Sequence, residues 1–501
     1  MKPINLYIFS RLFNKTAEEV GKFEQQLSKR EELKLPKEHE IETLKIFLLQ
    51  IASRVNIGNL DGFFYGFTIP QIAKEFDLLK ISESKVLNVE LKSEYTSEEK
   101  IKHQLEQNKY YLGNLDLPIC SYTFIADTRK VYSLNSMNDL VEVSIDNLIS
   151  DILSFDSFYS DDIEKRFRVR DFLVSPINTP EKFISGNYFL TDQQKEFKKG
   201  ILKRCEKAIT DHTPFLCQIK GKPGTGKSLL LYDLAKEFSK NLRTCVIHCA
   251  QMTEEHKQFN KLNKSFQVIP IKSVYVGSLT NYNAIVVDET HRIYTKQFEY
   301  IVEDVKEKNK ICIFGADEGQ ILSKSEQRRK IAEKLDALPC DETYSLSNKI
   351  RTNKELSDFI TKLVDLNEPI STKRFENVNV FFANDLQEAS YIINYLLENS
   401  YTFINYTPSQ YRSHNIDLLP KFRTTHYVIG QEYDNVLMVL GDDFRYNETG
   451  KLEATEHPNP DYLFSKLFYQ GITRAREKIA VLVIRNNTLF EKILDVVNKE
   501  I

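Results

Sequence analysis

Two carboxylates and a lysine stand at spacings that could hold a divalent cation: Asp77 in QIAKEFDLLKIS, then Glu90 and Lys92 in KVLNVELKS. Both stretches alternate apolar and polar residues, and the polar segment Ser82–Lys85 between them suits a hairpin turn. With the turn centred on Glu83 and Ser84, Phe76 faces Leu91, Leu78 faces Val89 and Lys80 faces Leu87 on a mostly apolar face. The other face sets Asp77 opposite Glu90 and Glu75 opposite Lys92. Carboxylates opposed across a ladder repel. Magnesium or manganese between them removes the conflict, because hard oxygen ligands suit these ions. Lys92, on the same face, could orient a water or steady a phosphate. The bland alternative is a solvated face with a Glu75–Lys92 ion pair; the register favours the metal.

A second set of residues could bind phosphates. FLCQIKGKPGTGKSLLLYDLAKEF reads strand, glycine loop, helix. Gly221 to Ser228 match G-x-x-x-x-G-K-S, and Gly221, Gly224, Thr225 and Gly226 let backbone N–H groups curl around phosphates at a helix N-terminus. Lys227 would neutralise the β and γ oxygens and Ser228 would ligate magnesium. In AIVVDETHR, four apolar residues carry Asp288 to a strand end, where it would hold the same magnesium. Glu289, next to it, can polarise the attacking water. Together these residues imply hydrolysis of a nucleoside triphosphate, with ATP the first choice.

These residues need elements to position them. A chain of 501 residues is too long for one ordinary core, so two to four domains are expected. A net charge of −3 argues against a globally basic surface, so any nucleic-acid contact must come from local patches. The seven cysteines form no CxxC pair and fit a reducing, cytoplasmic location. The start, MKPINLYIFSRLF, lacks the features of a signal peptide, and no apolar run is long enough to span a membrane.

Residues 1–165 mix helix and strand patterns: a helix over 39–55, the hairpin, a helix from about Glu98 to Leu112, and two strands in SYTFIADTRKVYSL. Residues 166–187 read as a linker or docking segment. Two sets of apolar strands alternating with helices follow, a parallel α/β pattern. FLCQI, CVIHCA, AIVVDE and KICIFGA fall in 188–343; NVFFA, YTFINYT, NVLMVLG and KIAVLVI fall in 344–501.

Over about residues 188–490 the chain resembles a superfamily 1 helicase. LTDQQ resembles the motif that contacts adenine, which implies Gln194 as reader. GADEGQ resembles motif III, with Gln320 sensing the γ-phosphate, and YSLSNKIRTN resembles motif IV, offering Arg351. TTHYVIGQEYDNVLMV matches the T-H-x-x-x-G-x-E-aromatic-D pattern of motif V, with Gly430 and Glu432. YQGITRARE matches motif VI, offering Arg474 to the transition state. The departures are an extra residue in GADEGQ and DETH in place of DEAH or DExQ. The resemblance implies two RecA-like P-loop lobes with ATP and Mg2+ in their cleft. The short spans from Ser228 to Asp288 and from Arg351 to Thr425 leave no room for large inserted subdomains.

Asp77, then Glu90-Leu91-Lys92, then Gln107-x-x-x-Tyr111 on the following helix resembles the PD-(D/E)xK nucleases of RecB type. This implies a restriction-endonuclease-like α/β/α fold at the N-terminus, with Glu40 or Glu42 as a further acid. Cys120 is the only cysteine before Cys205, so an iron–sulfur cluster within this domain is excluded. A nuclease joined to such a motor resembles the bacterial nuclease–helicase immunity (Nhi-like) enzymes that act against phage DNA. The implied partner is DNA with a single-stranded region, cut with Mg2+ or Mn2+. An ATP-gated nucleic-acid sensor and an RNA remodelling helicase are the rival readings. The sequence specifies neither an oligomer nor a contact with a single-stranded-DNA-binding protein.

Overall fold

The computed structural model describes the chain apart from residues 70–73, 168–171, 173, 223, 318–320, 347–353, 373, 409–418, 420–422, 455–460 and 499–501. Two compact units divide it, Met1–Phe172 and Leu173–Ile501.

The first unit opens with helices α1 (Leu6–Ser10), α2 (Ala17–Ser28) and α3 (Glu38–Ile51). Strands β1 (Phe63–Ile69), β2 (Lys74–Ile81) and β3 (Val86–Lys92) follow, then helix α4 (Glu98–Gly113). Strands β4 (Ile119–Ile125), β5 (Lys130–Leu134) and β6 (Leu140–Val143) complete a sheet in sequential order. All neighbours are antiparallel except β3 and β4, which are parallel and therefore need the crossover that α4 supplies. Leu44, Phe47 and Ile51 of α3 pack with Leu78, Leu87, Val89 and Phe124 on one face. Ile101 and Leu105 of α4 pack with Ile125 and Tyr132 on the other. The unit is thus an α/β/α sandwich.

The hairpin register is the one the alternation predicts: Leu78 pairs with Val89 and Lys80 with Leu87. The ladder stops there. Phe76–Leu91, Asp77–Glu90 and Glu75–Lys92 do not form as ladder pairs; instead the Leu91 N–H donates to Asp77 Oδ2 at 2.7 Å. Glu75 pairs with Lys34, not with Lys92. The face that carries Asp77 and Glu90 is buried along the hairpin, since Leu79, Ile81, Val86 and Asn88 are fully buried, which rules out the solvated alternative. Helix α3 ends at Ile51, four residues before the expected Val55.

In the second unit, Val174, Ile177 and a short helix α5 (Pro180–Ile184) lie within the segment expected to be a linker, and both apolar residues are buried. Helix α6 (Asp192–Thr210) leads to β7 (Phe215–Gly221), helix α7 (Lys227–Phe238) and β8 (Thr244–His248). With β9 (Gln267–Pro270), β10 (Ala284–Asp288), β11 (Ile311–Ala316) and β12 (Glu342–Leu346), they form a parallel sheet ordered β12-β7-β11-β10-β8-β9. The expected boundary at 343/344 therefore cuts through β12. A second parallel sheet, β13-β18-β15-β14, uses β13 (Val378–Ala383), β14 (Thr402–Phe403), β15 (Tyr433–Leu440) and β18 (Ala475–Ile484). A small antiparallel pair, β16 (Phe444–Tyr446) and β17 (Leu452–Ala454), and helix α8 (Phe464–Ile472) lie between β15 and β18 in the chain. Central strands such as β8 and β10 are buried at every position, which is why their sequences are mostly apolar rather than alternating. Among the described residues no helix is long and apolar enough to cross a membrane.

Phe47 is fully buried, with its ring centroid 5.3 Å from that of Phe124. Phe47→Ala should destabilise the first unit by about 3–5 kcal/mol, read as a lowered first transition in thermal melting; an unshifted melt would disprove the core assignment.

Candidate functional site

The phosphate loop follows β7. Gly224 and Gly226 both adopt positive φ (80° and 78°), a backbone that side chains rarely tolerate, and Gly226 caps α7. Gly221 is tight as well: a Cβ there would lie 2.6 Å from Thr225 Oγ1. Lys227 is buried, donates to the Gly221 carbonyl at 3.0 Å and stands 4.0 Å from Asp317 Oδ2. Gln194 is buried and its amide is engaged at both ends. Its Oε1 accepts from the Thr191 N–H at 3.0 Å, completing the capping box of α6, while Nε2 donates to the Gly226 carbonyl at 3.2 Å. In this structure Gln194 braces the loop rather than presenting a free amide to a base.

Asp288 ends β10 beside the loop, buried, and accepts from the Ser228 hydroxyl. Burial, and then the charge of Glu289, push its carboxyl above the usual range. Glu289 turns into the left-handed region (φ 58°), which sends it to a different set of partners. His291 Nε2 lies 3.3 Å away and Arg292 Nε 3.4 Å; Arg292 Nη1 also holds Glu326 at 3.0 Å. Burial alone would raise the Glu289 carboxyl, but His291 and Arg292 outweigh it and hold it low. Because burial pushes His291 down to about 3, the counter-charges that persist at neutral pH are Arg292, then Lys227 and Arg474. A serine hydroxyl and a carboxylate fit magnesium, and an ionised Glu289 can accept a proton from water.

The second sheet supplies Arg474, just past α8. It is buried, its Nε donates to the Gln470 carbonyl at 3.1 Å and its Nη1 to the Gln431 carbonyl at 3.4 Å. Nη2 has no hydrogen-bond partner among the described residues. Gly430, at φ 77°, faces the first sheet: a Cβ there would lie 3.9 Å from His248 Cε1. The next residue, Gln431, donates to Thr253 Oγ1 and Glu255 Oε2, both at 3.1 Å, and so ties the two sheets together. Glu432 is bound to Arg476 at 3.0 Å. Gln320 and Arg351 lie outside the described residues. Asp317, His291 and Arg292 were not singled out from sequence, although GADEGQ and DETHR contain them.

In the first unit, the opened end of the hairpin borders a cavity of about 370 Å³. Glu40, Tyr65, Gly66, Asp77, Lys92 and Thr96 are among its lining residues, and Thr96 Oγ1 is buried without a partner. Glu42 lies elsewhere, exposed and 3.4 Å from Lys45; of the two, Glu40 lines the cavity with Asp77. Glu90 is buried; Gln104 donates to its Oε2 and Asn108 to its Oε1, the latter at 2.8 Å. Of the motif residues on α4, Tyr111 is buried against Tyr110 and Phe172, while the amides that reach Glu90 come from Gln104 and Asn108. The physical signal was present, because Asn108 interrupts the buried stripe Ile101, Leu105, Leu112. Burial raises both carboxyls, and for Asp77 the charge of Glu90 adds to it. Lys74 and Lys92 act on Glu90 as positive charges without cancelling the effect of burial, and two hard-oxygen ligands fit magnesium or manganese, which keep waters in their remaining positions. Among the described residues no group of three or more His, Cys, Asp or Glu is arranged around one point to hold a metal.

Residues 214–402 match the family model described as "Schlafen group 3, DNA/RNA helicase domain", a span that contains the phosphate loop and Asp288–Glu289. No curated protein matches the chain. Similar solved structures include Pif1 helicase from Bacteroides with ADP-AlF3 and ssDNA, at 11% identity and TM-score 0.31, covering 58% of this chain and 92% of that one. Another is the flagellar accessory protein FlaH from Methanocaldococcus jannaschii, at 17% identity and TM-score 0.20, covering 26% and 72%. At such scores these likenesses carry no weight for function. The family match supports a helicase-type domain in the second unit.

Arg474→Ala should leave nucleotide affinity nearly intact while lowering turnover on the order of 10³-fold, measured by ATPase kinetics and nucleotide titration. Lost affinity with unchanged turnover would make Arg474 a ground-state ligand. The Asp77 carboxyl, raised in the fold, favours folding while neutral, so its contribution is present below about pH 4 and lost as pH rises towards about 7. Without metal, the first melting transition should fall across that window, and Asp77→Asn should flatten the fall. An equal slope in both proteins would contradict the burial argument.

Proposed function

We propose that this chain is an ATP-driven nucleic-acid translocase of the helicase type whose N-terminal unit cuts the strand with a divalent cation. The observation that carries the motor half is Arg474: a buried guanidinium from the second sheet with Nη2 unpartnered, held beside the residues that surround the phosphate loop. Lys227 would exchange the Gly221 carbonyl for the β and γ oxygens of ATP. Glu289 takes the proton of a water that attacks the γ-phosphorus, the bond to the bridging oxygen breaks, and ADP and phosphate leave. Ser228 and Asp288 would hold magnesium, which when bound screens the β and γ charge. Arg474 stabilises that charge in the transition state, so closure of the two RecA-like lobes and hydrolysis are linked.

The nuclease half rests on the opened hairpin. Asp77 and Glu90 would hold magnesium or manganese, which when bound polarises a phosphodiester and acidifies water. Glu40 lines the same cavity, and Lys92 orients the water or steadies the phosphate. The fusion of such a cutter with a motor suggests degradation of foreign, phage DNA in antiviral defence. RNA is the second substrate to be tested, because the matching family model describes a DNA/RNA helicase.

The full-length protein should be incubated with single- and double-stranded DNA and RNA, with manganese, with and without ATP. Lys92→Ala should lose cleavage and keep ATPase activity, while Lys227→Ala should lose ATPase activity and still cut bare single strands. Cleavage at the wild-type rate in Lys92→Ala would remove Lys92 from the site, and no cleavage by the wild type would reduce the N-terminal unit to a binding module.

A further inference from the structure

The cavity at the opened hairpin has an unbalanced wall. Glu40, Glu75, Asp77 and Glu94 line it, against a single lysine, Lys92. A phosphate chain entering such a space meets like charge, and cation capture by Asp77 and Glu90 offsets only part of it. One more cation stands at the rim. Lys34, on the segment between α2 and α3, reaches over β1: its Nζ donates to the Gly66 carbonyl at 3.4 Å and ion-pairs with Glu75. The strand is shaped for that approach. Gly66 sits at φ 55°, and a Cβ there would lie 2.7 Å from Lys34 Nζ and 3.3 Å from Glu75 Oε1, so any larger residue would push the ammonium away. Arg30, on the same segment, donates to the Tyr65 carbonyl at 2.7 Å and the Gly66 carbonyl at 3.2 Å, fixing the segment to the rim.

The Lys34 and Glu75 side chains remain 32% and 45% exposed. An ion pair that wet contributes little net stability and is easily exchanged. Both Gly66 and Glu75 line the cavity, so the ammonium lies at its mouth. We infer that Lys34 is a substrate contact of this site, binding a backbone phosphate of the nucleic-acid strand, with Glu75 as the counter-ion it leaves. This rests on the nuclease reading above and adds to it the rim residue that recognises the polyanion. The contact is to phosphate, so it serves DNA and RNA alike and carries no sequence preference.

Steady-state cleavage by the full-length protein with manganese, on single-stranded DNA and on RNA at several salt concentrations, tests the contact. Lys34→Ala should raise KM on the order of tenfold, keep kcat, and lower the slope of log(kcat/KM) against log[salt] by about one. Lys34→Arg should restore most of the loss. Glu75→Gln should act in the opposite direction and lower KM, because it frees the ammonium and removes a like charge. The manganese-induced rise in melting temperature, which reports Asp77 and Glu90, should be the same in Lys34→Ala as in wild type. Unchanged KM and salt slope in Lys34→Ala, or a fall in kcat alone, would overturn the inference and leave the nuclease reading standing. Absence of any cleavage by the wild type would remove both.

Discussion

Buried carboxylates set side by side repel, and in each unit the local structure is arranged around that repulsion. At Asp77 and Glu90 the hairpin ladder gives way at the position where the two would face each other. Asp77 turns to a backbone N–H of the opposite strand, and Glu90 turns to two amides on α4. At Asp288 and Glu289 the neighbours are consecutive, so the chain separates them by rotating Glu289 into a left-handed conformation. Asp288 then stays with Ser228 of the phosphate loop, and Glu289 joins Arg292.

The two solutions differ in the partner they recruit, and this gives the two sites different chemistry. Around Glu90 the hydrogen-bond donors are neutral amides, and the charges of Lys74 and Lys92 offset its burial only in part, so its carboxyl stays above the usual range. Asn88 and Asn108 each bury an amide oxygen without a partner close to this carboxylate, an arrangement that an apolar layer would avoid at lower cost. Around Glu289 the partner is a guanidinium, which keeps the carboxyl ionised although it is buried. A carboxylate held ionised beside a phosphate loop suits proton acceptance; two buried carboxylates held above their usual range suit metal capture.

The motor half also shows how one side chain can couple separate elements. Gln194 caps the start of α6 and holds the phosphate loop with the same amide, so the helix and the loop move as one piece. On the opposite side, Gln431 carries lobe-to-lobe hydrogen bonds while its carbonyl holds Arg474. A shift of the second sheet therefore reaches the guanidinium through backbone rather than through a flexible loop.

Much of this was legible in the residues alone. Alternation in KEFDLLKI and VLNVELK determined both strands and their register, because a slip of one position would have exchanged buried and polar faces. The glycine loop, Lys227, Ser228 and the apolar run ending at Asp288 are local in sequence, and the parallel α/β pattern was legible around them. Tertiary structure decided what periodicity cannot. Gln104–Asn108 and Gln107–Tyr111 have the same spacing on one helix, and spacing says that two residues share a face, not which face meets the sheet. That was decided by packing of Ile101 and Leu105 against Ile125 and Tyr132. That Glu40 rather than Glu42 lines the cavity was decided in the same way, by the rotation of α3 over the sheet. The opening of the ladder at Asp77 also lay beyond the pattern, since it arises from charge repulsion and burial acting between strands, and neither is a property of either strand taken alone.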